Sequence, residues 1–556
     1  MGHFFVYARF SKTRTTTKQT LTITNKKTKN IMKVIILILF FAIMIGVGIK
    51  CRKSTKNVQG FVLGNRNVGS WLTAFAFGTS YFSAVIFVGY AGQFGWKYGL
   101  ASTWIGIGNA IIGSLLAWRI LGRRTRLMTQ YLHSATMPDF FGQRFNSSAL
   151  KVAASTIVFV FLIPYTASLY NGLSRLFGMA FGIDYTWCVV AMAILTGIYV
   201  LVGGYMATAV NDFIQGMIML VGIVAVIATV LNGHGGFTEA MEKLSAIPAE
   251  TAPDLHGAFV SILGPQPLYL LGVVLLTSLG TWGLPQMVGK FYAIRDEQAI
   301  RKGTIISTVF AMIVAGGCYF LGGFGRLYGA DIEYTATGTP VFDSIIPTML
   351  QSLPDIMIGV VIILVLSASM STLSSLVLTS GSTLTLDIIV PACNKSGKQM
   401  SEKKQLLSIR LLVVFFIAVS SVLAVIQAKS SVTFIAQLMG ISWGALAGAF
   451  LAPFLYGLYS KRTTKASVWV SFIVGVLVMC LCMYATFTGT QFISPYFTSP
   501  INAGVLAMLL GLIIMPIVDL FTHVTNKTDV DKMFQCYDRR ITVRASTSLD
   551  EEEEEA

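Results

Sequence analysis

The feature that most constrains this chain is a succession of apolar segments, each near the roughly 20 residues that a bilayer-spanning helix needs, separated by polar loops. They run at about 32–49, 70–95, 101–118, 152–173, 185–203, 206–231, 265–289, 303–325, 355–386, 407–427, 432–458, 466–487 and 501–521. Strands of a membrane barrel are about ten residues long and alternate in polarity, and these runs do neither. Apolar residues make up 54% of the sequence and charged ones 12%, a balance foreign to a soluble chain of this size. The expectation is an all-α polytopic membrane protein of about 13 transmembrane helices embedded in a lipid bilayer.

The loops set the sidedness. Lys50, Arg52, Lys53 and Lys56 follow the first segment; Arg119, Arg123, Arg124 and Arg126 the third; Lys290, Arg295, Arg301 and Lys302 the seventh. Lys395, Lys398, Lys403 and Lys404 follow the ninth, and Lys461, Arg462 and Lys465 the eleventh, while the intervening loops carry about one basic residue each. This alternation predicts a multi-pass protein of the cell membrane with its N-terminus outside and its C-terminus in the cytoplasm. The net charge of +16 is accounted for largely by these loops, so no nucleic-acid partner is implied. Residues 1–31 are rich in Lys, Arg and Thr, contain no acid, and would place positive charge on the wrong side. Met32 and Lys33 open directly into an apolar run, so translation is expected to begin at Met32.

Between Leu366 and Thr383, small hydroxyl residues crowd a segment apolar enough to cross a bilayer. A membrane helix carries Ser and Thr by bonding them to its own backbone, yet Ser367, Ser371, Ser374 and Ser375 recur at helical spacing and share one face. Such a face suits either a close helix–helix seam or a row of hard oxygen ligands for a cation, and spacing does not choose.

Carboxylates inside a membrane are costly and hence informative. Asp212, at the start of a span, is the main one; it reads either as a functional anion or as a charge favoured by the helix dipole. Two spans look broken: residues 73–84 by Gly78 and a polar run, and residues 279–286 by Gly280, Gly283 and Pro285. Interruptions at corresponding positions of two five-span halves mark an inverted-repeat transporter with its site at mid-membrane.

Enzymatic constellations are not found in the sequence. His3, His133, His234, His256 and His523 fall in loops or tails, the seven cysteines are scattered, and no glycine loop carries the Lys-Ser/Thr of a phosphate cradle.

The stretch from Gly203-Gly204 through Asp212 to Gln215, the Ser371-Thr372 region and the run from Gly280 to Phe291 together resemble the sodium:solute symporter family, over about residues 32–521. The resemblance implies the leucine-transporter-like inverted-repeat core with broken helices, and sodium entry coupled to uptake of a small solute. It divides the chain into a basic extension (1–31), an outer helix (32–49), a ten-helix transport core (70–458), two additional helices (466–521) and a polar cytoplasmic tail (522–556) ending in Glu551 to Glu555.

Carried over by position, the family's main sodium site implies the backbone carbonyls of Thr79, Phe82 and Ala368 with the hydroxyls of Ser371 and Thr372. A second sodium, bound by some relatives, would fall at Asp212, Ser374 and Ser375. The solute would lie between the broken helices, against Tyr81, Ser83, Ala84, Thr281 and Trp282, with Tyr165 from a neighbouring span. Sugar-transporting relatives place amide and carboxylate side chains where this chain has Val85-Ile86-Phe87, which disfavours sugar. Proline-type relatives match around Tyr165 and from Leu279 to Phe291, although they carry Asp at the place of Tyr81 and Trp near that of Val85. Ser83-Ala84-Val85 and Lys97-Tyr98-Gly99 look more like the monocarboxylate and pantothenate branches. The resemblance thus implies a monomeric symporter of a small carboxylate-bearing solute, with proline first among named candidates. The alternatives are a sugar or other neutral-solute symporter, or a non-transporting sensor or channel on the same helices.

Overall fold

The computed structural model describes Ile35 and residues 37–52, 57–181, 183–428, 435–524 and 526–539. The basic extension 1–31, Met32, Lys53 and Lys56, and Glu551 to Glu555 lie outside the described residues.

Wherever described, every apolar segment is helical, and the only β-pairings among the described residues are the isolated bridges Val68 to Ile294 and Tyr334 to Pro340. Nine helices among the described residues are long and apolar enough to cross a membrane, or ten when the bent pair Pro267–Gly283 and Pro285–Tyr292 is one span. Leu37–Lys50 and Tyr185–Ile198 are shorter apolar helices. The expected number of about 13 therefore depends on where two helical runs are divided. One, Val85–Tyr131, is interrupted at Gly99 (φ 60°, ψ −140°); the other, Tyr185–Gly233, at Gly204 (φ 55°, ψ −155°). Both conformations are open to glycine and strained for any residue with a Cβ. At Gly99 an added Cβ would also meet the Phe259 carbonyl oxygen at 2.1 Å.

Two further breaks occur within the stretches the sequence marks, the first at Phe82 rather than at Gly78, which stays helical. Ser70–Tyr81 stops because Phe82 turns extended (φ −102°, ψ 123°), and helix resumes with wide π-type turns over Val85–Tyr90. Pro267–Ser278 tightens into Leu279–Gly283, Leu284 turns extended (φ −90°, ψ 119°), and Pro285–Tyr292 leaves at a bend of 46°. Proline at the first position of Pro285–Tyr292 lacks an N–H that would be orphaned there anyway, so the second half starts without penalty.

The hydroxyl-rich helix Asp355–Leu384 packs on Ser70–Tyr81, Ser148–Phe181 and Tyr185–Gly233, facing the first break. Ile435–Tyr459 covers the second break. It packs tightly because Gly440, Gly444 and Gly448 recur every fourth residue, which lets backbones approach. A Cβ at Gly444 would lie 2.9 Å from the Cα of Gly504.

At one end of the bundle, Arg66 ties the first broken helix to the second. Its guanidinium donates to the carbonyls of Ser134 (2.6 Å) and Tyr292 (3.1 Å) and to the Thr129 hydroxyl (3.2 Å). The amide of Val68 donates to Ala293 (3.0 Å) and that of Arg295 to Val68 (3.0 Å). Burial pulls the Arg66 pKa down to about 10, which still leaves it charged at neutral pH. Arg123 pairs with Glu297 at 3.0 Å at this same end, so several of the basic loops gather on one face.

Candidate ion and solute site

Because Phe82 is extended, the carbonyls of Thr79, Ser80 and Phe82 lose their helical partners. Among the described residues, no backbone N–H reaches them. All three point at one side chain of the facing helix. Thr372 Oγ1 lies 3.3 Å from the Thr79 carbonyl oxygen, 3.5 Å from that of Ser80 and 3.4 Å from that of Phe82, with the Ala368 carbonyl at 3.1 Å. A threonine hydroxyl has one hydrogen, so four acceptors compete for a single donor. A packing seam avoids such a surplus of lone pairs, and a small hard cation satisfies it. Ser371 adjoins the cage, its hydroxyl donating to Thr79 Oγ1 at 2.7 Å, while Thr79 Oγ1 donates to the Phe75 carbonyl at 2.7 Å. Ser371, Thr372, Thr79 and Ala368 are fully buried.

The residues expected to hold a second ion are also close together, but in company. Asp212 is fully buried, and 3.6 Å from its carboxylate sits the ammonium of Lys290, itself 3% exposed. Lys290 donates to Ser375 Oγ at 2.9 Å, and Ser375 Oγ is 2.9 Å from Ser80 Oγ. Since the Ser80 hydroxyl donates to the Ala76 carbonyl at 2.6 Å, its one hydrogen is committed and Ser375 is the donor of the pair. Ser374 turns its hydroxyl onto its own helix, to the Ser371 carbonyl at 2.8 Å.

The solute candidates divide into two groups. Tyr165 has its hydroxyl close to Ser83 and to the indole nitrogen of Trp443, and none of these three polar atoms closes a well-formed hydrogen bond, although all are buried. The Tyr81 and Tyr165 rings each stand 5.9 Å from that of Trp443. The Ala84 amide donates to Ser369 Oγ at 3.3 Å, which fixes the chain beyond the break. Tyr81, in contrast, spends its hydroxyl on the Thr277 carbonyl. Thr281 donates back to the Ser278 carbonyl of its own helix (2.8 Å) and Trp282 to the Ile112 carbonyl of a neighbouring one (3.0 Å), so their polar atoms are spent on helix structure and packing.

Three residues at this site lay beyond the sequence reading. Trp443 sits in an apolar span with no pattern to distinguish it, and Ser369, although within the hydroxyl-rich stretch, falls off the face shared by Ser367, Ser371, Ser374 and Ser375. Lys290 reads in the sequence as one of a basic loop, yet Phe291, Tyr292, Ala293 and Ile294 follow it, and that continued apolar run is the signal of burial.

Broken helices around an oxygen-lined cage in a polytopic bundle define a membrane transporter. Residues 61–475 match the sodium:solute symporter family, and the chain belongs to it. The osmoregulated proline transporter OpuE of Bacillus subtilis (strain 168) is 29% identical over 479 residues, covering 85% of this chain and 93% of that protein. The sodium/proline symporter of Escherichia coli (strain K12) is 27% identical over 474 residues, covering 84% and 91%. In fold, the chain is similar to a Na+-coupled sialic acid symporter in its substrate-bound outward-open state, with TM-score 0.72, 18% identity and coverage of 88% and 97%. It is also similar to Mhp1, a nucleobase-cation-symport-1 family transporter, with TM-score 0.50, 11% identity and coverage of 86% and 98%.

Proposed function

We propose that this protein is a monomeric symporter of the cell membrane that imports a small carboxylate-bearing solute, proline first among the candidates, with sodium as the coupling ion. The observation that carries this reading is the competition of four carbonyls for the one hydrogen of Thr372. In this reading sodium binds the carbonyls of Thr79, Phe82 and Ala368 with Ser371 and Thr372, and bridges the broken helix to Asp355–Leu384. Ion binding therefore favours the state in which those two elements touch. The solute binds beyond the break, where Ser83, Tyr165 and Trp443 offer clustered polar atoms that close no well-formed hydrogen bond among the described residues. Amino-acid-sized solutes are also supported by the two proline-transporting relatives. Sugar is less suited, because Val85, Ile86 and Phe87 are buried and apolar.

The gathered basic loops support an N-terminus outside and a cytoplasmic C-terminus, with the Arg66 end facing the cytoplasm. One charge falling through 100 mV releases about 2.3 kcal/mol. At about 1.4 kcal/mol per decade that supports roughly fifty-fold accumulation, before any sodium concentration gradient is added.

The test is a thermal-unfolding screen of purified protein with small carboxylates, amino acids and sugars, each with and without sodium. A ligand at 100 times its Kd stabilises by about 2.7 kcal/mol. Proline or another small carboxylate should raise the midpoint in sodium only. A sugar doing so would reassign the solute, and ligands acting equally without sodium would contradict the coupling.

A further inference from the structure

We infer that Lys290 is a built-in cation that occupies the position of a second coupling ion, so that one sodium accompanies each solute molecule. The inference rests on the sodium-coupled reading above and deepens it.

Four elements meet at this point. Asp212 comes from Tyr185–Gly233, Lys290 from the second half of the second broken helix, Ser375 from Asp355–Leu384 and Ser80 from the first broken helix. The ammonium has three donors. One reaches Ser375 Oγ at 2.9 Å, the Asp212 carboxylate stands 3.6 Å away, and the Tyr205 ring centroid lies at 5.3 Å. Asp212 has no other cation within ion-pair distance among the described residues; the Ser371 hydroxyl is its other polar neighbour, and neither carboxylate oxygen closes a well-formed hydrogen bond there. Lys290 is therefore the one cation that answers its charge among the described residues.

A free sodium beside Asp212 would have to share this space. Two unit charges about 4 Å apart, at the effective dielectric of a protein interior, weaken binding by roughly a thousand-fold. The hydroxyl order reinforces the exclusion: Ser375 accepts from Lys290 and donates to Ser80, and Ser80 donates to Ala76. A cation at Ser375 would break the first of these bonds. A crevice of about 50 Å³ reaches Lys290 and Ser375, with Tyr205 and Gln286 in its lining, and stops short of Asp212. The lysine thus holds together the elements that an ion would otherwise join, without entering or leaving with the solute.

The test is the ratio of sodium to solute flux, measured by dual-label uptake or reversal potential in proteoliposomes, with the Hill coefficient for sodium. The wild type should give one ion per solute and a Hill coefficient near one. Lys290→Met should give two ions and a coefficient near two, because the freed Asp212 carboxylate takes an ion; Lys290→Arg should stay at one. If Lys290→Met does not accumulate in the membrane, Asp212→Asn combined with Lys290→Met decides. A ratio of one in that pair supports the inference, and loss of coupling overturns it by giving Asp212 the essential ion. A wild-type ratio of two, or Lys290→Met remaining at one, overturns this assignment alone. Uptake indifferent to sodium overturns the symport reading with it.

Discussion

Thr372 Oγ1 lies 3.4 Å from the Phe82 carbonyl oxygen, joining the middle of one membrane helix to the interruption of another. That contact spans 290 residues of sequence and brings a side-chain oxygen to backbone oxygens that accept from no amide among the described residues. Removing the hydroxyl while keeping the shape isolates its role. Thr372→Val and Ser371→Ala should each raise the half-saturating sodium concentration about tenfold, near 1.4 kcal/mol, and together abolish sodium-stimulated uptake. Sodium activation curves in vesicles check this, and unchanged curves would make the pair a packing seam.

The Asp212–Lys290 pair predicts an asymmetry in stability. Neutralising Asp212 alone leaves a buried ammonium unpaired, which costs about 3–5 kcal/mol. Asp212→Asn should therefore lower the unfolding midpoint in sodium-free detergent, and adding Lys290→Met should recover most of the loss. Thermal melts of the two variants decide; a single variant as stable as the wild type would mean that the pair is not formed.

The bend of the second broken helix depends on Gly283. A Cβ there would meet the Leu451 amide nitrogen at 2.8 Å and the Ala447 Cα at 2.9 Å, both backbone atoms that cannot swing away. Gly283→Ala should cost about 1–3 kcal/mol and reduce uptake, as overpacking does. Gly289→Ala, in the same element with nothing within 4 Å, is the control expected to behave as wild type. Equal effects at both positions would place the sensitivity in the helix at large.

Tyr165 and Thr281 separate solute contact from helix packing. Tyr165→Phe deletes a buried hydroxyl that closes no well-formed hydrogen bond among the described residues, and Thr281→Ala deletes one already bonded to Ser278. The first should raise the solute concentration for half-maximal uptake about tenfold, near 1.4 kcal/mol, with sodium activation unchanged. The second should affect it less. The reverse order would move the solute toward the second break.

The helices and the second break are legible in the sequence because hydropathy, glycine and proline act locally, whereas the first break falls at Phe82, past a Gly78 that stays helical. Gly280, Gly283 and Pro285 announce the bend at Leu284, and Ser371 and Thr372 mark the hydroxyl face. What is not legible is the direction of backbone oxygens: Phe82 and Ala368 contribute carbonyls, which carry no residue-specific signal, and only the family resemblance named them. Lys290 misled because a basic residue just past an apolar run looks like a loop charge, whereas its burial follows from the bend that carries it inward. Trp443 belongs to the site only because Ile435–Tyr459 packs over the second break, a tertiary fact with no local trace.

The most direct measurement is uptake of labelled proline into proteoliposomes under an inward sodium gradient, with potassium replacing sodium as the control. The account predicts accumulation above equilibrium that collapses when the gradient dissipates, is absent in potassium, and is lost in the Ser371→Ala, Thr372→Val double variant. Uptake that is equal in sodium and potassium, or that survives in the double variant with its sodium dependence intact, would contradict it.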